Sequence, residues 1–243
     1  MNEKVKILDI PIDILTMEQA IELIDSFIQG GGRKQIVTAN AEIIFRAKND
    51  SSLRRIIQQA DLVTADGSGV VWAAKRLGRP LPERITGIDL MQNLMKLAVE
   101  KDYTVFLLGS KPGIAELAAE NLKKAYPGLK LLGVQDGYFS VQEEKEIVAR
   151  LKALAPNLLF VGLGSPKQEE WINRYIKELP GTVAMGVGGS FDVLSGQISR
   201  APKWMQKAGL EWLYRLLKEP WRIRRMSALP KFMLKVLQEG KKY

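Results

Sequence analysis

The sequence predicts an α/β protein: a mainly parallel sheet in a three-layer arrangement with helices on both faces, followed by a C-terminal helical appendage. Three observations lead there. Up to residue 199, short β-type runs alternate with segments of helical period. Several of those runs are apolar almost throughout, as parallel strands covered on both faces are. After Arg200-Ala201-Pro202 only helical patterning remains.

Taken in order, KILDI (6–10) reads as the first strand. Thr16 with Gln19 has the spacing of a capping box and opens a helix to about Gln29. QIVTA (35–39) is a strand, followed by a helix from Ala41 to Gln59 with a break near Asp50. DLVTA (61–65) leads into a helix over Gly69–Leu77. The Pro-rich connection RPLPERITG (79–87) precedes another over Ile88–Lys101. TVFLLG (104–109), LKLLGV (129–134), LLFVGLG (158–164) and TVAMGVG (182–188) complete the strands. Helices over Pro112–Ala125, Gln142–Leu154 and Lys167–Leu179 separate them. In the tail, a helix over Lys203–Lys218 stops before Pro220, which has no N–H to continue it. A short arginine-rich helix spans Trp221–Met226. A third follows Pro230, with Leu229, Phe232, Met233, Val236 and Leu237 on one stripe. The predicted boundary puts a body at 1–199 and the appendage at 200–243.

Charge divides at the same place. Residues 200–243 hold 12 Lys and Arg against 3 acidic residues, whereas the preceding 199 residues hold 24 of each sign. Three of the five tryptophans (Trp204, Trp212, Trp221) also lie in the tail. A neutral body with a basic, Trp- and Leu-rich tail suits docking on an anionic surface, a membrane leaflet or a nucleic acid. The alternative is that the tail helices pack on the body with their charges solvated, and the apolar stripe also suits a subunit interface in a homo-oligomer. Continuous apolar stripes and the lack of a nucleic-acid module favour the membrane.

Composition removes several chemistries. The chain has no Cys and no His, so disulfides, thiolate catalysis, Cys-ligated zinc and imidazole bases are excluded. A catalytic base must be a carboxylate, Lys or Tyr, and a metal would be a hard ion held by oxygen. No apolar run approaches the ~20 residues that span a bilayer. The N-terminal MNEKVKILDIPIDIL has acidic residues within its apolar stretch and no cleavage site, so a cytoplasmic location is expected.

Ligands collect at the carboxyl ends of strands in open α/β sheets. Four clusters fall there: Thr38-Ala39-Asn40, Asp66-Gly67-Ser68-Gly69, Gly164-Ser165-Pro166-Lys167-Gln168-Glu169 and Gly188-Gly189-Ser190-Phe191-Asp192. Asp66 is the leading candidate for a general base, with capping of the following helix as the commoner use of such an Asp. The glycine turns suit phosphate or sugar through free N–H groups, or simply make tight turns. Neither a Walker pattern nor a Gly-x-Gly-x-x-Gly fingerprint is present, which weighs against an NTPase or dehydrogenase. Arg84 suits a phosphate by its bidentate fork or is an ordinary surface arginine, and the tail group Arg215, Arg222, Arg224 and Arg225 suits a diphosphate or forms a solvated basic face.

The set TANAEI (38–43), ADGSG (65–69), GSPKQE (164–169), GVGGSFD (186–192) and RAPKWMQKAGLEWLYRLLKEPWRIRR (200–225) resembles the WecG/TagA/CpsF glycosyltransferase family. The resemblance covers about residues 5–225 and rests on the order and spacing of the motifs. It implies an inverting, metal-independent transferase that needs no cofactor and moves a sugar from a UDP-sugar to a lipid-linked acceptor at the inner membrane face. In the TagA branch N-acetylmannosamine goes to undecaprenyl-diphosphate-linked N-acetylglucosamine, in wall teichoic acid linkage-unit synthesis; the WecG branch uses the corresponding uronic acid. The TagA branch is the closer. The resemblance assigns Asp66 as base, Thr38, Asn40 and Gln168 to the sugar-nucleotide pocket, and Arg84, Arg215, Arg222 and Arg225 to diphosphate. The body becomes the catalytic domain, and the appendage both anchors it to the membrane and completes the active site. Another donor within the family, a uronic acid or hexose, and a nucleic-acid-binding protein are the alternatives.

Overall fold

The computed structural model describes residues 3–218, Pro220 and 228–239. It is an α/β structure with six strands in the order β4-β3-β8-β7-β5-β6, flanked by helices, and a separate two-stranded hairpin, β1-β2. The chain forms two compact units.

The first unit takes Met1–Met17, Thr38–Thr86 and Ser199–Tyr243. Strands β1 (Lys4–Ile7) and β2 (Ile10–Asp13) pair antiparallel, Ile7 opposite Ile10. The expected strand over 6–10 is therefore the hairpin's turn. Leu8 and Asp9 both have positive φ (49° and 68°), the twist a two-residue hairpin requires; with Leu in place of Gly or Asn at the first position, Asp9 alone is a weak turn signal. Asp13 ends β2 buried, accepting from Val63 N–H at 2.9 Å and pairing with Lys4 at 3.3 Å.

Asp50 causes the anticipated break between α2 (Ala41–Asn49) and α3 (Ser51–Gln59). It ends α2 and caps α3, accepting from Leu53 N–H at 3.0 Å. β4 (Leu62–Ala65) is wholly buried and leads to α4 (Ser68–Arg76).

The single helix expected over 203–218 is two: α10 (Lys203–Lys207) and α11 (Glu211–Lys218). Gly209 lies between them at φ +70°, where a Cβ would stand 2.9 Å from Ser68 Cβ. Left-handed backbone and close approach together demand glycine there. The last described helix, α12 (Ala228–Glu239), holds Pro230 in its first turn, where a missing N–H costs nothing. Phe232 and Val236 are fully buried, and α12 packs on α2 and α4. The expected stripe thus divides: Met233 and Leu237 remain 37% exposed.

The second unit takes Glu18–Val37 and Gly87–Ile198. It contains α1 (Met17–Gln29) from its second residue, the start of β3 (Lys34–Ala39), and α5 (Gly87–Glu100). β5 (Thr104–Gly109), α6 (Ile114–Ala125), β6 (Lys130–Gln135) and α7 (Val141–Leu154) follow, then β7 (Leu158–Gly162), α8 (Lys167–Tyr175), β8 (Val183–Gly186) and α9 (Ser190–Leu194). The pairs β3–β8, β8–β7, β7–β5 and β5–β6 are all parallel. Phe106, Leu108, Leu159, Val161 and Ala184 meet Ile147, Val148 and Leu151 of α7 and Trp171 and Ile172 of α8 in one apolar cluster. Strands this apolar have helices on them because water cannot satisfy either face. Helix α7 opens on a full capping box, Ser140 with Glu143.

Candidate active site

In the first unit, four of the expected residues sit on neighbouring segments. Asp66 follows β4, and its N–H donates to Ala39 O at 2.8 Å, bringing it beside Thr38 and Asn40 at the end of β3. Ile85 N–H donates to Ala65 O at 3.0 Å, which holds Arg84 near the same loop. Asp66 and Thr38 are half-buried, Asn40 exposed. The cap position of α4 is Gly67, at φ 98°, which has no side chain. Asp66 stands one residue earlier, half open to a ligand.

Asn40, by contrast, is a cap: its Oδ1 accepts from Ile43 N–H at 3.0 Å at the start of α2. The Nδ2 group is then its donor toward a ligand.

Arg84 is not a bare cation. Its Nη2 lies 3.0 Å from Glu211 Oε2, and Arg200 Nε lies 3.3 Å from Glu211 Oε1. All three side chains are mostly covered, at 15–21% exposure. Two arginines on one carboxylate leave a net positive site, and the Nη2 contact engages only one of the guanidinium's five donors. Ser68 Oγ donates to Gly209 O at 3.0 Å, so the Asp66 loop and the tail are joined at two points. Arg215 is half-buried on α11. Arg222 and Arg225, with Trp221 and Arg224, lie outside the described residues.

Glu211, Arg200 and Ser68 were not singled out from the sequence. A signal existed for Glu211: it is one of three acids in a strongly basic segment. A second, Glu239, accepts from Leu8 N–H at 3.1 Å. In such a segment the minority charge marks where the chain is tied down.

Gln168 belongs to the second unit, at the start of α8. It is 4% exposed. Its Nε2 donates to Glu169 Oε1 at 2.7 Å, and its Oε1 accepts from Gly188 N–H at 3.0 Å. Each end of the amide is thus already engaged within the protein, linking the GSPKQE segment to the GVGGSFD turn. At the same strand ends Ser110 Oγ donates to Asp192 Oδ1 at 3.0 Å. The Ser165–Pro166 peptide is cis.

Burial pushes the Glu169 carboxyl above the usual range, against the bond from Gln168 and the nearby Ser165 hydroxyl, with Glu170 adding to the rise. The stability linked to its proton is fully present below the ~4.3 of an unfolded glutamate and lost as pH rises through the raised folded value. Glu169→Gln removes that loss. Its melting temperature relative to the parent is expected to climb with pH across that window and then level off, as thermal unfolding over a pH series would read.

Among the described residues no group of three or more carboxylates converges as a metal-ligand set would, and no helix is long and apolar enough to cross a membrane.

Comparison with known proteins places the chain in a family. Residues 5–243 match the "Glycosyl transferase WecG/TagA/CpsF family". An N-acetylglucosaminyldiphosphoundecaprenol N-acetyl-beta-D-mannosaminyltransferase of Staphylococcus aureus (strain MW2) is 40% identical over 241 residues, 98% of this chain and 94% of the relative. The protein of the same name from Bacillus spizizenii (strain ATCC 23059 / NRRL B-14472 / W23) is 41% identical over 203 residues, 84% of this chain and 78% of the relative. With the match running over nearly its whole length, this chain belongs to the WecG/TagA/CpsF glycosyltransferase family.

Proposed function

We propose that the protein transfers N-acetylmannosamine from UDP-N-acetylmannosamine to undecaprenyl-diphosphate-linked N-acetylglucosamine, with inversion and without a metal, in making the linkage unit of wall teichoic acid. The observation that carries the acceptor and the sugar is the 40% identity, over 98% of the chain, to a transferase of that name. Asp66 is the base: it removes the proton from an acceptor hydroxyl, O4 of the N-acetylglucosamine. That oxygen attacks the anomeric carbon opposite the UDP, the C–O bond to UDP breaks, and the diphosphate leaves with the electron pair. Thr38 and Asn40 hold the sugar nucleotide, and Gln168, buried with both ends of its amide engaged, acts through the turn it holds. Arg84, Arg215, Arg222 and Arg225 meet the charge on the diphosphate, which fixed cations stabilise best when water is excluded. Within the second unit, the glycine turns offer backbone N–H groups of the kind that bind a diphosphate.

The appendage, 200–243, brings this machinery to the inner face of the cell membrane. Six of the eight large hydrophobic residues exposed among the described ones lie in it, Trp204 (65%), Leu217 (70%) and Leu234 (57%) foremost. The same segment carries the whole net charge of +9. Apolar anchors with basic neighbours favour an anionic leaflet, each cation near the surface adding on the order of 1 kcal/mol. Membership of a glycosyltransferase family removes the reason for a nucleic-acid partner.

The test is UDP release from UDP-N-acetylmannosamine with and without a lipid-diphosphate N-acetylglucosamine analogue. Acceptor-dependent release is the expected result. Turnover only with the uronic acid or a hexose donor would overturn the donor and retain the reaction class.

A further inference from the structure

The GSPKQE segment carries a carboxyl group that the transfer chemistry does not use. Glu169 lies in the first turn of α8 and is 1% exposed. Its Oε1 accepts from Gln168 Nε2, while Oε2 is buried without a hydrogen-bond partner. The Ser165 hydroxyl adjoins it without the geometry of a hydrogen bond. Its main-chain oxygen accepts from the buried Gln35 Nε2 at 3.0 Å. Next in line is the Gln168 amide, pressed against the end of β8: a Cβ on Gly186 would stand 2.6 Å from Gln168 Nε2. The amide then receives Gly188 N–H in the turn between β8 and α9.

A primary amide has nearly the same shape when rotated by half a turn, which exchanges its oxygen and nitrogen. Gly188 can bond only the oxygen end. The reversed orientation would set one N–H against another. Glu169 selects the same orientation from the other end of the amide, because its Oε1 accepts from nitrogen. We propose that Glu169 is a positioning residue that fixes the orientation of the Gln168 amide, and through it the Gly188-Gly189 turn, for binding the donor's nucleotide diphosphate. The last clause rests on the reading that this turn faces the diphosphate. Burial raises the carboxyl's pKa above the usual range, and Oε1 is the oxygen that accepts from Gln168. What matters is then an acceptor oxygen at that point, not a charge.

The experiment compares Glu169→Gln, which keeps a carbonyl oxygen there, with Glu169→Met, which keeps the volume and removes it. Three quantities are read on the full chain: Gly188 amide hydrogen exchange by NMR, UDP affinity by calorimetry, and the melting temperature. Removing a buried acid with an unpaired oxygen is not expected to unfold the protein; if Met does not fit, Glu169→Ala serves the same comparison. The Met variant should exchange Gly188 at least tenfold faster and bind UDP about tenfold more weakly, as loss of one well-placed hydrogen bond implies. It should raise the donor KM more than it lowers kcat. The Gln variant should stay within about twofold of the parent in exchange and affinity. Parent-like Gly188 protection in a folded Met variant would overturn the proposal, as would a Gln variant as impaired as Met. If the parent itself does not bind UDP, the nucleotide clause fails, while Gly188 exchange still decides the positioning role.

Discussion

Asp66→Asn is expected to leave the fold intact and lower acceptor-dependent UDP release by about 10²–10⁴-fold, the range for a positioned general base. The structure makes this a clean substitution. Asn has the same outline, and Gly67, not Asp66, occupies the cap of α4, so no helix terminus depends on the carboxylate as its cap residue. The N–H that ties residue 66 to Ala39 belongs to the backbone and survives the change. Asn40 gives a useful contrast, because its Oδ1 caps α2. Asn40→Ala costs stability, about 1 kcal/mol for a lost cap, so its kinetics need the melting temperature beside them. Near-normal turnover in Asp66→Asn would remove Asp66 as the base.

Phe232→Ala is expected to cost about 3–5 kcal/mol, the range for emptying a buried phenylalanine site. Phe232 is fully buried on α12, which packs on α2 and α4. Leu234, two residues on, is 57% exposed. Leu234→Ala should change stability by no more than about 0.5 kcal/mol. It should instead weaken binding to anionic vesicles by about tenfold, the loss of one leucine's burial in the interface. Unfolding curves and vesicle co-sedimentation separate the two faces of one helix. Equal vesicle binding by the Leu234 variant would show that this face does not meet the membrane. A small stability loss in Phe232→Ala would show that α12 contributes little to its unit.

How much of this was legible in the sequence depended on the range of the interaction. The strands from QIVTA onward appear where their apolar runs stand, because a strand buried on both faces must be apolar whatever its neighbours are; β6, at the sheet edge, is only partly buried. The break at Asp50 was also readable, since a cap acts within three residues. Leu8-Asp9 was not: Asp9 is a turn former, but Leu8 is not, and the pairing of β1 with β2 imposes positive φ on both. The Lys203–Lys218 pattern was right in period and wrong in continuity: Gly209 stops α10 locally with left-handed backbone, Leu210 N–H returning to Met205 O at 2.8 Å, and Ser68, 141 positions away, packs against it. The apolar stripe of the last helix was visible as a stripe, yet nothing local separated Phe232 and Val236, which are covered, from Met233 and Leu237.

The candidate site divides in the same way. Asp66, Asn40 and Gln168 stood out because glycine- and amide-rich clusters at strand ends are visible one segment at a time. The two arginines on Glu211 and the bonds of the Gln168 amide were not visible, since each pairs residues distant in sequence or chooses between near-equal alternatives; the cap at Asn40 acts within three residues and was open to a local reading, as Asp50 was. By itself, then, the sequence determined the alternation of strand and helix, the charge division at residue 200 and the residue types available for chemistry. These follow from solvent exclusion and local hydrogen bonding, which act on every short segment alone. Only the tertiary structure decided which polar groups are engaged and which are open to a ligand, because a side chain's partner is set by what the fold brings within about 3 Å of it.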